Sequence, residues 1–95
     1  MSKEFLENLK RFFKDKPVIK AYLFGSIVRN ESDTNSDIDI LVELDYSRPI
    51  GLGFVKMHLE LEELLGKKVD LLTSNSISMY IMPFIEKEKV LVYEK

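Results

Sequence analysis

Asp37 to Leu44 reads Asp-Ile-Asp-Ile-Leu-Val-Glu-Leu, and this octet constrains the fold more than any other stretch of the chain. Ile38, Ile40, Val42 and Leu44 recur with a period of two, and so do Asp37, Asp39, Leu41 and Glu43. An extended strand sends the first row into a core and the second row to the opposite face. The octet therefore requires a sheet, with an apolar layer packed on one side of it.

The flanking segments supply that layer. Phe5, Leu6, Leu9, Phe12 and Phe13 fall at i, i+1, i+4, i+7 and i+8, the stripe of an amphipathic helix that begins near Ser2 as N-cap and stops before Pro17. Val18 to Phe24 is rich in β-branched and aromatic residues and reads as a strand ending at Gly25. Ser26 to Ser36 is polar and turn-rich, with room for about one helical turn. Tyr46 to Gly53 reads as a loop or helix entry. Phe54, Met57, Leu61, Leu64 and Leu65 predict the longest helix, with Gly66 as its terminating glycine. Lys68 to Thr73 predicts a short strand carrying Asp70. Ile77, Tyr80, Ile81, Phe84 and Ile85 predict a last helix, with Pro83 either in its first turn or kinking it, and Val90 to Tyr93 closes as a strand. The order α, β, short α, β, α, β, α, β predicts an α/β (α+β) class: a small mixed sheet of about four strands with helices packed against it, residues 1–95 forming one domain.

Composition narrows the chemistry. The chain has no cysteine and one histidine, so disulfides, thiolate zinc sites and histidine-rich metal clusters are excluded, and any metal must be hard and oxygen-bound. Met1 to Lys16 alternates charged and apolar residues without the apolar core of an export signal. The longest apolar run, Met79 to Ile85, is far shorter than the ~20 residues of a membrane span. A cytoplasmic location is the expectation. With 14 basic and 16 acidic residues the net charge is −2, which argues against nucleic acid as the main partner. The charge run Glu86 to Lys89 reads as a solvated helix end.

Asp37 and Asp39 are two apart on a strand, so both carboxylates leave the same face while Ile38 anchors the strand. Such a pair suits Mg²⁺, which takes oxygen ligands and completes its shell from water and substrate phosphates. Taken alone, the pair is more often an ordinary wet strand face. Gly25-Ser26 follows an apolar strand and opens a turn, where bare backbone N–H groups and a hydroxyl can approach phosphate. Taken alone, it is a common turn. Asp70 lies among Val69, Leu71 and Leu72, where an uncompensated carboxylate is costly. Arg29 has two readings, a phosphate contact or a pairing with Glu31 or Asp33. His58, beside Phe54, Leu61 and Leu65, reads as a partly buried structural histidine. Phe5, Phe12 and Phe13 read as core, whereas Met79, Tyr80 and Met82 suit either an interface or ordinary packing.

Leu23-Phe24-Gly25-Ser26-x-x-Arg29, then ten residues between Ser26 and Asp37, then Ser36-Asp37-Ile38-Asp39-Ile40-Leu41-Val42, resembles the DNA polymerase beta-like nucleotidyltransferase superfamily. The short length, the stretch Leu64 to Thr73 and the ending Val90-Leu91-Val92-Tyr93-Glu94 resemble its minimal nucleotidyltransferase (MNT) group, and the likeness runs from Lys20 nearly to the end. The resemblance implies the nucleotidyltransferase fold, with Gly25 and Ser26 (and Arg29, if it contacts phosphate) at an ATP triphosphate. It also implies Asp37, Asp39 and Asp70 on two Mg²⁺ ions, with Asp70 as general base. It further implies the antitoxin half of a HEPN/MNT pair, some of which transfer AMP to a tyrosine of the HEPN toxin. Ile27, Val28 and Asn30 depart from the small residues and the glycine often found there. At 95 residues little surface is left for an acceptor, so a second chain, in a hetero- or homo-oligomer, is expected to complete that site. A binding module that neutralises its partner without catalysis is the competing reading, and transfer to RNA ends a third.

Overall fold

The computed structural model describes residues 2–31, 33 and 35–95. The expected turn-rich segment between the first two strands falls partly on Ser32 and Thr34, which lie outside the described residues.

Helix α1 spans Lys3–Phe13, and its cap is the one the sequence predicts: the Ser2 hydroxyl accepts the Phe5 N–H at 3.1 Å. Glu4 in the first turn and Lys10 and Arg11 in the last complement the helix dipole. Strands β1 (Val18–Phe24), β2 (Ile38–Leu44), β3 (Val69–Thr73) and β4 (Val90–Glu94) form one sheet in the order β3-β2-β1-β4. Strands β2 and β3 run parallel, and β1 is antiparallel to both β2 and β4. A parallel pair needs a crossover, supplied here by helix α2 (Gly53–Leu65). Gly66 ends α2 in the left-handed conformation, φ 65°, with its N–H on the Glu62 carbonyl at 2.9 Å.

One face of the sheet carries the main core. Leu23, Ile40, Val42 and Leu71 pack against Leu9 and Phe13 of α1 and Met57 and Leu61 of α2, with Phe5 and Phe12 at the margin. The other face has a smaller cluster of Tyr22, Phe24 and Leu41 under Ile85 of helix α3 (Met82–Glu88). Since β3 and β4 are opposite edges, the chain between them carries α3 across this second face. It then turns so that Val90 pairs with Leu23 and Leu91 with Tyr22.

Several expectations change in detail. The short helix after β1 is a single 3₁₀ turn, Gly25–Ile27. Leu41, on the carboxylate row of β2, is 1% exposed because α3 covers it. Pro83 sits in the first turn of α3, where a missing N–H costs no helical bond, so Ile77, Tyr80 and Ile81 precede the helix. Leu64 turns outward, and Met79, Tyr80, Ile81 and Phe84 form an exposed apolar surface, Tyr80 at 79% and Phe84 at 70%. No helix among the described residues is long and apolar enough to cross a membrane.

Candidate active site

The parallel register sets Asp39 opposite Asp70, and the antiparallel register sets it opposite Phe24. Neighbouring strands are about 4.8 Å apart, so the Asp39 and Asp70 carboxylates share one end of one sheet face. Asp37 stands one residue before β2, two positions from Asp39. Gly25 follows Phe24 directly, and the strand pairing brings the turn onto Asp39. Gly25 is buried with φ +79°, and a Cβ at that position would collide with the Asp39 carboxylate. The glycine is thus required twice, by its backbone angle and by the acid pressed against its α-carbon.

The three acids differ in setting. Asp39 is half-buried, whereas Asp37 and Asp70 are exposed. Burial first, and then the charges of Asp70 and Asp37, hold the Asp39 carboxyl above the usual carboxylate range, while Arg29 opposes the shift. The expectation that Asp70 is a costly buried acid is corrected: β3 is an edge strand, Val69 and Leu71 turn to the core, and Asp70 faces water. Among the described residues no three His, Cys, Asp or Glu side chains gather closely enough to make a closed metal site. The carboxylates are hard oxygen donors of the kind Mg²⁺ takes, and the like charges of Asp70 and Asp37 add to burial in raising the Asp39 carboxyl, against a smaller opposing effect of Arg29.

Arg29 takes the second of its two readings, a carboxylate pairing, and extends it to a partner that the sequence did not suggest. Its Nε donates to Glu31 Oε2 at 3.1 Å, one of the pairings foreseen, and its Nη1 donates to both oxygens of Glu88 at 3.0 and 2.8 Å. Glu88 Oε1 also accepts the Gly25 N–H at 2.8 Å. These bonds, the guanidinium first and the amide second, hold the Glu88 carboxyl below the usual range. Glu88 is the residue that sequence reasoning missed. The run Glu86 to Lys89 is no mere solvated end, since Lys89 also lies 4.2 Å from the centre of the Tyr22 ring. The turn closes with Val28 N–H and Arg29 N–H on the Gly25 carbonyl and Glu31 N–H on the Ser26 carbonyl. Asn30 takes φ 58°, a left-handed angle that asparagine tolerates, which accounts for this departure from glycine. His58 is structural as expected, its Nε2 2.6 Å from the Val69 carbonyl oxygen.

Residues 7–95 match the family described as polymerase beta, nucleotidyltransferase. A Methanocaldococcus jannaschii protein that carries a provisional name of protein adenylyltransferase is 48% identical over 73 residues, 77% of each chain. Among solved structures, a toxin–antitoxin with AMP-PNP superposes with TM-score 0.79 at 22% identity, covering 95% of this chain and 73% of the other. A complex of the tri-AMPylated Shewanella oneidensis HEPN toxin with its MNT antitoxin superposes with TM-score 0.63 at 20% identity, covering 97% and 68%. These last two are likenesses of fold.

Proposed function

The chain belongs to the polymerase beta nucleotidyltransferase family, and on that premise we propose that it is an Mg²⁺-dependent protein adenylyltransferase that moves AMP from ATP to a tyrosine hydroxyl of a HEPN-type toxin, as the antitoxin of the pair. The observation that carries this reading is the contact of the Asp39 carboxylate with the α-carbon of Gly25. It joins a phosphate-binding type of turn to an acidic strand in one site. The adenylyltransferase relative supports AMP as the transferred group, and the AMPylated HEPN toxin of the Shewanella complex supports the acceptor class.

In this reading Asp37, Asp39 and Asp70 would hold two Mg²⁺ ions. Bound there, Mg²⁺ supplies charge neutralisation of the triphosphate and of the departing pyrophosphate. Gly25 and Ser26 line the phosphate site at the turn, Gly25 through its bare backbone, since its N–H is engaged by Glu88 Oε1. The acceptor oxygen attacks the α-phosphorus, the bond from that phosphorus to the bridging oxygen breaks, and pyrophosphate leaves. Asp70, exposed on its edge strand, is open to an incoming hydroxyl and takes its proton. Asp39, half-buried and flanked by the charges of Asp70 and Asp37, would be the central metal-holding acid of the three.

A second reading, neutralisation of the partner by covering it, draws on the exposed apolar surface of Met79, Tyr80, Ile81 and Phe84. Incubation with a HEPN partner and α-phosphate-labelled ATP, with Mg²⁺ or with EDTA, separates the two. Label on a partner tyrosine that vanishes in EDTA and in the Asp37→Ala, Asp39→Ala variant supports transfer. A stable complex that never takes up label from any NTP sinks it and leaves neutralisation by contact.

A further inference from the structure

We propose that Glu88 is a positioning residue for nucleotide binding, the brace that holds the Gly25–Arg29 turn in its working shape; the proposal rests on the transferase reading above. The turn has a left-handed glycine at its start and a left-handed Asn30 at its end, angles that both residues tolerate, so its local shape is accommodated and its seat against the sheet needs a tether. Glu88 supplies it from 63 residues away in sequence, by one carboxylate that accepts the Gly25 N–H at 2.8 Å and the Arg29 guanidinium at 2.8 and 3.0 Å. One guanidinium nitrogen, Nη1, reaches both carboxylate oxygens, a charge-assisted contact that ties Arg29 to the same group that holds Gly25.

This arrangement gives Arg29 its task. With Glu88 on one side and Glu31 Oε2 at 3.1 Å on the other, the guanidinium is engaged by two carboxylates and serves the turn rather than a phosphate. Glu88 is brought there by topology: it stands two residues before Val90, which pairs with Leu23, so it falls just past the end of β1 where Gly25 begins. Ile85, in the same helix, is 4% exposed against Tyr22, Phe24 and Leu41 and keeps α3 seated on the sheet. The brace thus ties the nucleotide turn to α3, whose Phe84 remains open on the outer side.

The test is Glu88→Gln, which keeps size and one acceptor oxygen but removes the charge that Arg29 Nη1 meets, with Glu88→Ala as the second variant. In steady-state transfer assays with the partner protein, the KM for ATP is expected to rise about tenfold in Glu88→Gln and further in Glu88→Ala. The KM for the acceptor protein should stay at the wild-type value. Exchange of the Gly25 amide hydrogen should quicken about tenfold in both variants, a readout that needs no substrate. A lowered melting temperature with an unchanged KM for ATP would make Glu88 purely structural and overturn the assignment. A lowered KM would overturn it too, by making Glu88 a competitor of the phosphates. A wild type that transfers nothing overturns the transferase reading, whereas an active wild type matched by Glu88→Gln in KM for ATP overturns the role of Glu88 alone.

Discussion

The Asp39 carboxylate lies against the α-carbon of Gly25, on the side where every other amino acid carries its side chain. Gly25→Ala therefore asks Ala to adopt φ +79° and pushes Asp39 off its position at once. Transfer activity is expected to fall by about 10²-fold, the scale set by a displacement of roughly 1 Å in a catalytic group. Label transfer measured beside a thermal melt checks this; a variant that folds and transfers at the wild-type rate refutes the coupling of turn and acid.

Asp39→Asn should separate stability from function. The native Asp39 carboxyl titrates above its ordinary range, chiefly through burial, so the folded chain binds its proton more tightly than the unfolded chain. That contribution is present at low pH and is lost as pH rises through the raised value, leaving a penalty at neutral pH. In EDTA at pH 7, Asp39→Asn is expected to melt no lower than wild type, with transfer in Mg²⁺ reduced by at least about 10²-fold. Melting curves across pH decide the first half, since a variant that is less stable than wild type at pH 7 contradicts the sign.

Asp45 behaves in the opposite sense. It is buried after β2, accepts the Ser47 hydroxyl at 2.6 Å and the Ser47 N–H at 3.0 Å, and pairs with Lys95 at 2.9 Å. These contacts, the Ser47 hydroxyl first, hold its carboxyl far below the usual range. The resulting stability is present above the ordinary carboxylate pKa and is lost as pH falls toward the native value. Asp45→Asn should lower the melting temperature at pH 7, and the gap to wild type should narrow in increasingly acidic buffer. A gap that widens on acidification would show that the contacts do not favour the charged form.

Leu61 has 0% exposure where α2 meets the sheet. Leu61→Ala is expected to cost about 2–5 kcal/mol, the range for an aliphatic residue cut back to a methyl in a packed core. Urea unfolding followed by circular dichroism measures it. The exposed Leu64, three residues on in the same helix, is the control, with an expected change within about 0.5 kcal/mol.

Local pattern carried most of the architecture. The Ser2 cap, the stripe of α1, the span of β1, the alternation of β2 and the glycine stop of α2 all follow from contacts within a few residues, and each is legible because its period or its cap lies in one stretch of chain. The acidic pair and the Gly-Ser turn were legible for the same reason. What the sequence left open was every relation that crosses strands. Whether Asp70 is buried depends on β3 being an edge, whether Leu41 is wet depends on α3 crossing above it, and what Arg29 holds depends on where the chain returns before β4. Glu88 had no signal of its own within a run of alternating charges. Its meaning came from the strand order β3-β2-β1-β4, which sets the start of the last strand beside the end of the first and lets one carboxylate close a turn 63 residues distant. Periodicity reports which face a residue occupies, but only the register and order of the strands decide which residues share that face.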